Sequence, residues 1–164
     1  MEYAKLGTSD LNVSTVGLGC NNFGMRLFDQ EQVNVIVNTA LDAGINFFDT
    51  ADMYGNGMSE QFLGKALGSR RTEVIVGTKF GMKMDDDDNK QGASRRYILE
   101  AVEASLSRLG SDYIDLYQVH FPDPETPIEE TLETLNELIK AGKVRHIGNS
   151  NFTGDMINEA ETAA

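Results

Sequence analysis

Residues 114–150, IDLYQVHFPDPETPIEETLETLNELIKAGKVRHIGNS, spell out one strand–helix–strand unit, and the rest of the chain repeats it. Ile114–Val119 is a short, largely apolar strand that ends at His120. A polar stretch follows. Thr126, Pro127 at the first turn and Glu129 at the third position then mark a helix start, where proline's fixed φ is helical and its missing N–H costs nothing. Ile128, Leu132, Leu135, Leu138 and Ile139 recur at helical spacing and form the expected inner face. Gly142 closes that helix, and Val144–Ser150 reads as the next strand.

The units on either side have the same grammar. Val74–Thr78 is an apolar strand too continuous to be half-exposed, and its helix runs from Ser94 to Leu109, with Ile98, Val102, Leu106 and Leu109 as the stripe and Gly110 as the stop. Ile45–Asp49 is a strand followed by a glycine-rich loop and a helix opened by Ser59, with Phe62, Leu63, Ala66 and Leu67 inward. Thr15–Gly19 is the first strand. Asp29 caps its helix, Gln32 completes a capping-box pattern, and Val33, Ile36, Val37, Ala40 and Leu41 line one face before Gly44. Gly7-Thr8-Ser9-Asp10 is the turn of an N-terminal hairpin, and Thr153 begins a fifth helix. Strands alternating with helices are parallel and joined by crossovers, so residues 1–164 read as a single α/β domain. Two architectures fit: a doubly wound open sheet and a (β/α) barrel.

The ionisable residues sit where a buried strand should not carry them. Asp49 ends the second strand, with Tyr54 in its loop; Lys79 follows the third strand and His120 the fourth. Parallel strands bring their carboxyl ends to one face, which on a barrel is where active sites are built. Each residue alone has an ordinary explanation: a loop cap, a packed aromatic, a surface charge, a structural histidine. Four converging on one rim do not. A phenol with a pKa of ~10 is a weak acid at neutral pH. A neighbouring ammonium favours its ionised form and brings Tyr54 towards acid–base work, with Asp49 holding Lys79 charged and His120 orienting a substrate oxygen. No serine elbow or Cys–His pair is present for acyl transfer, so proton delivery to a carbonyl oxygen fits best.

At these residues the chain resembles the aldo-keto reductases. Leu6–Ser14 is similar to the family's opening hairpin, and Asp49-Thr50-Ala51-Asp52-Met53-Tyr54-Gly55 followed by Gly57-Met58-Ser59-Glu60 matches its most recognisable signature. Gly77-Thr78-Lys79, Asp115–His120 and Gly142–Phe152 follow in order at the separations expected. The resemblance implies a (β/α)8 barrel and NADPH-dependent reduction of a small-molecule aldehyde or ketone. It implies Tyr54 as general acid, Lys79 and Asp49 as its tuning pair, and His120 as the group that positions the carbonyl. Ser150 and Asn151 resemble the pair that binds the nicotinamide carboxamide, with Asp49 near the nicotinamide ribose. Asn149 departs from the small apolar residue usual before that pair. The same fold also serves as a cytoplasmic subunit of potassium channels, so a non-catalytic interaction subunit is the alternative.

Bulk properties narrow the partners. The 14 basic and 26 acidic residues leave a net charge of −12, which repels phosphate backbones and anionic lipids and argues against nucleic acid and membrane. One cysteine, Cys20, and two distant histidines supply neither a disulfide nor zinc-ligand spacing. With no apolar leader or spanning run, the chain reads as cytoplasmic. Gly17-Leu18-Gly19 with Gly24 misses the dinucleotide fingerprint, because its third glycine falls two places late. Asp85-Asp86-Asp87-Asp88 lacks the alternating ligands of a calcium loop and reads as a solvated run beside the substrate entrance. His146 lies mid-strand and reads as packed or edge-facing.

Five strands are visible, whereas a barrel of this kind takes eight in ~250 residues. Met156, Ile157 and Ala160 begin a helical stripe with no stop signal after it. The expectation is a truncated barrel of five βα units, with exposed edges on the first and fifth strands that favour a homo-oligomer. Such a chain is expected to bind NADPH feebly and turn over little, since the family's phosphate-gripping loops follow later strands.

Overall fold

The computed structural model describes residues 1–27, 29–85 and 87–164. Strands β1 (Tyr3–Lys5) and β2 (Asn12–Ser14) pair antiparallel as the expected hairpin. Then come β3 (Leu18–Gly19), α1 (Gln30–Asp42), β4 (Phe47–Asp49), α2 (Met58–Leu67), β5 (Ile75–Phe80), α3 (Arg95–Leu109), β6 (Ile114–Val119), α4 (Ile128–Lys140), β7 (Val144–Asn149) and α5 (Gly154–Ala163). The five strands β3 to β7 form one parallel sheet in sequential order. That order excludes the doubly wound alternative, in which strand order reverses partway. With right-handed crossovers all the helices fall on one face, and successive helices touch in a row from α1 to α5. The architecture is therefore the barrel type, as a five-stranded arc.

Alternation along each strand sorts side chains between the two faces. Phe48, Val76, Tyr117 and Val119 point to the helices and join Val33, Val37, Leu63, Ile98, Val102 and Leu135 in the main core. The opposite parity belongs to the inner face. There Phe47, Ile75 and Leu116 pack against Leu11 and Val13 of the hairpin, which covers the amino-end of the arc. Gly64 permits the tight crossing of α2 and α3, since a Cβ there would meet the Leu109 carbonyl oxygen at 2.3 Å.

Several boundaries differ from the sequence expectation, each for a local reason. The first strand shrinks to Leu18–Gly19 because Ser14 Oγ donates to the Val16 carbonyl at 2.7 Å and bends the chain. Ile45 donates to Ala40 O, closing α1, and Asn46 ties the hairpin to the sheet through Ser14 N at 2.6 Å, so β4 starts at Phe47. Ser59 does not open α2: Gly57, at φ +86°, caps it, and Ser59 is buried one residue inside. Pro127 occupies the cap of α4, while Thr126 donates to Asp123 at 2.8 Å instead. The buried face of α4 is Thr131, Thr134, Leu135 and Leu138, with Ile139 exposed, because Thr131 Oγ1 reaches the Ala93 carbonyl at 3.0 Å. Asp29, Ser94 and Thr153 cap α1, α3 and α5 as expected, accepting from Gln32, Tyr97 and Met156 N–H groups. Strand β5 runs through Lys79 to Phe80, because Lys79 pairs in register with Gln118 and Phe80 with Val119.

Candidate active site

Parity explains how the inner rim is assembled. Asp49 shares a face with Phe47, Lys79 with Ile75, and Gln118 and His120 with Leu116, so all four stand on the concave side at the carboxyl end of adjacent strands. The Lys79 ammonium donates to Asp49 Oδ2 at 2.7 Å and to the Thr50 carbonyl at 2.8 Å. Its side chain is 7% exposed, against 37% for Asp49, so the lysine is the desolvated partner and the carboxylate keeps solvent contact. Gln118 Nε2 approaches the other oxygen of Asp49 at 3.5 Å. The motif reading did not single out Gln118; its two-residue spacing from His120 was the signal that could have found it.

Tyr54 reaches the same place from the β4–α2 loop. The Lys79 Nζ lies 5.1 Å from its ring centroid, and its ring meets the His120 ring edge-on at 5.7 Å between centroids. His120 is 6% exposed, and its Nδ1 is buried without a partner among the described residues. Burial first, and the Lys79 charge second, hold its pKa below the ordinary imidazole value, against a smaller pull from Asp49. A neutral imidazole donates through one nitrogen only, which suits a carbonyl oxygen as acceptor. Phe121 stacks on the His120 ring with 5.5 Å between centroids.

Ser150 and Asn151 stand one strand further along the rim. Ser150 N donates to the Val119 carbonyl at 2.9 Å, and Asn151 Nδ2 donates to the His120 carbonyl at 2.8 Å and to Ser150 Oγ at 3.0 Å. Asn151 holds φ +62°, a conformation asparagine tolerates better than most residues. The pair is thus fixed to the backbone of His120, but it does not touch Asp49, Tyr54 or Lys79 through any hydrogen bond of the described residues. Glycines flatten the floor between them: Gly77 and Gly148 flank Gln118, where Cβ atoms would lie 3.5 and 3.3 Å from its side chain.

Cys20 is fully buried behind this rim, its N–H donating to the Asp49 carbonyl at 2.8 Å. Burial, then the Asp49 charge, pushes its thiol well up, so it offers no thiolate nucleophile. A cavity of about 690 Å3 lies elsewhere, lined by Pro122–Pro127, Phe152 and Met156 next to α5, and it does not include the rim cluster. Among the described residues no group of three or more His, Cys, Asp or Glu could hold a metal ion, and no helix is long and apolar enough to cross a membrane. Of the acidic run, Asp86 lies outside the described residues; Asp85 pairs with Lys90 at 3.3 Å and Asp88 with Lys83 at 2.7 Å. His146 faces the hairpin, with Nε2 2.7 Å from Asp10.

Comparisons with known proteins bear on this rim. A family model described as the Aldo/keto reductase family matches residues 15–164. The uncharacterized oxidoreductase YqkF of Bacillus subtilis (strain 168) is 42% identical over 161 residues, covering 97% of this chain and 52% of the relative. A probable voltage-gated potassium channel subunit beta of Arabidopsis thaliana is 40% identical over 168 residues, covering 100% of this chain and 51% of that protein. Among solved structures, the holo form of aldo-keto reductase AKR11C1 from Bacillus halodurans superposes with a TM-score of 0.91 at 42% identity, over 100% of this chain and 55% of that one. The chain spans about half the length of the curated relatives it matches.

Proposed function

The chain belongs to the aldo/keto reductase family, and on that premise we propose that its rim carries out NADPH-dependent reduction of small aldehydes or ketones, with Tyr54 as the general acid. The observation that carries the reading is the Lys79 ammonium, held 2.7 Å from Asp49 and 5.1 Å from the Tyr54 ring, with the His120 ring edge-on to that tyrosine. The nucleotide, when bound, supplies the hydride. Ser150 and Asn151 fit the amide end of a nicotinamide: the serine brings a hydroxyl and the asparagine an amide whose oxygen meets no donor among the described residues. Asp49, partly open to solvent, is the group for the adjoining ribose.

The chain's own residues handle the proton. The substrate oxygen accepts a hydrogen bond from the neutral His120 ring, which fixes the carbonyl against Tyr54. The Tyr54 hydroxyl proton passes to that oxygen as negative charge develops on it. Lys79 stabilises the phenolate left behind, because an ammonium favours the ionised neighbour. Asp49 holds the Lys79 ammonium in place. Gln118 and the flanking glycines keep the floor level, and Phe121 stacks on the imidazole.

The test is deuteride transfer from NADPH labelled at the nicotinamide C4 to a simple aldehyde. It is run with this chain and with the chain extended by the second half of a 42%-identical relative. Labelled alcohol from the extended protein, with little from the chain alone, is the expected result. A folded, nucleotide-binding protein that transfers no label refutes the reading. The proposal includes a cytoplasmic setting and a homo-oligomer formed through the edges of β3 and β7, which have no strand neighbours among the described residues. A second reading, a non-catalytic interaction subunit, is favoured by the channel-subunit relative. It predicts a stable complex with another polypeptide on size-exclusion chromatography and no label transfer from either form.

A further inference from the structure

Asp52 lies on the loop that carries Tyr54, but on the helix-facing side of the sheet, where it is 1% exposed. Neither carboxyl oxygen meets a donor in hydrogen-bond geometry among the described residues; the Met53 amide is close without closing a bond. Its neighbourhood explains why. Glu60 of α2 is fully buried and takes both strong donors, Arg108 Nε of α3 at 2.6 Å and Thr78 Oγ1 of β5 at 2.6 Å. Gly57 makes room for that arginine, since a Cβ there would sit 2.6 Å from Arg108 Cδ. The other titratable groups facing Asp52 are Tyr97 of α3, Tyr117 of β6, whose hydroxyl is also buried without a partner among the described residues, and Lys79 of β5 from behind. Across a cavity of about 180 Å3 stand Asp85, Lys90 and Glu100. Two buried carboxyl groups thus face one partly buried guanidinium, and Glu60 has it.

An unpaired buried carboxylate costs far more than a neutral acid in the same place. The loop around Asp52 is hung directly on the active strand: Asp52 N donates to the Lys79 carbonyl at 3.0 Å, Thr50 N to Gly77 at 2.8 Å, and Tyr54 N back to Ala51 at 3.2 Å. We propose that Asp52 is a proton-dependent latch: as a neutral carboxylic acid it lets the β4–α2 loop stay seated with Tyr54 on the rim, and its ionisation unseats that loop. The latch itself rests on packing alone. Its consequence for catalysis rests on the role proposed for Tyr54, so its test reads the loop and not the reaction. Desolvation first, and the Glu60 charge second, push the Asp52 carboxyl up to about 8, against the pull of Arg108.

The experiment is amide hydrogen exchange at Asp52 and Tyr54, corrected for the intrinsic pH dependence of exchange, from pH 5 to pH 9. An opening that hydrates Asp52 releases its proton, so protection of both amides falls with rising pH, on the order of tenfold per unit, and levels off near pH 8. Asp52→Asn keeps the neutral shape, and its protection stays flat across the same range. Glu60→Gln frees Arg108 and removes the like charge, so the levelling-off moves to lower pH. Equal pH slopes in the wild type and Asp52→Asn overturn the proposal, as does a Glu60→Gln profile that levels off where the wild type does. Neither result depends on whether the rim reduces a carbonyl.

Discussion

Two ion pairs lie on opposite sides of the same sheet, on either side of the Thr78–Lys79 step of β5, and they are built to different rules. On the concave rim Lys79 meets Asp49 one to one, and the carboxylate side keeps solvent contact. On the helix-facing side Arg108 meets Glu60, which is fully enclosed, with Asp52 left over beside it. The first pair can lose a member and let water in. The second cannot. A rim proposed to admit a substrate tolerates exposed carboxylate, whereas a joint between α2, α3 and β5 needs its charges balanced in place.

The sharpest separation comes from removing each cation. In the extended protein, Lys79→Met is expected to lower the proposed carbonyl reduction on the order of a hundredfold or more, the usual scale for disabling an acid–base group. Its stability cost is only about 1 kcal/mol, since Asp49 is more than a third exposed and can be rehydrated. Arg108→Met reverses the pattern. It strands a fully buried Glu60 carboxylate and is expected to cost about 3–5 kcal/mol in chemical denaturation. If the two variants lose stability equally, the contrast fails.

A smaller effect depends on pH. The acid Asp52 has a raised pKa in the folded state, so the folded protein binds the proton more tightly than the unfolded chain. Its contribution is complete at low pH and is lost as pH rises from the ordinary aspartate range to about 8. Relative to Asp52→Asn, wild-type stability should therefore decline on the order of 1 kcal/mol per pH unit across that window and then level. Denaturation curves at pH 5, 6, 7 and 8 measure it, and parallel trends for the two proteins contradict it. The mildest change is His146→Ala. Its partner Asp10 is largely exposed, so the loss should stay within about 1 kcal/mol in thermal melts.

The rim was legible in the sequence because it obeys a simple rule: a polar residue at the end of an apolar strand. Asp49, Lys79 and His120 stand out for that reason, and the signature around Tyr54 added the fourth. The barrel type was legible only through the family resemblance and those strand ends, since alternation alone leaves strand order open. Three-dimensional partners hid the rest. Ser59 looks like a helix opener, but it is buried against the Cys20 carbonyl and the Thr50 hydroxyl. The inner face of α4 turns on a threonine–backbone bond from Thr131 to Ala93, which no hydrophobic count contains. Asp52 reads as one letter of a motif; its isolation appears only once Glu60 is seen holding Arg108. Gln118 reads as one polar interruption of a strand until parity puts it beside Asp49.

In the reaction proposed for this rim, the phenol of Tyr54 delivers the proton. Tyr54→Phe in the extended protein removes one hydroxyl from a half-buried ring and leaves the Lys79–Asp49 pair intact. Steady-state reduction of an aldehyde, measured beside NADPH binding by fluorescence, should show a loss on the order of 10²–10⁴-fold in rate with nucleotide affinity unchanged. A variant that reduces the aldehyde at the wild-type rate would show that the proton comes from another group.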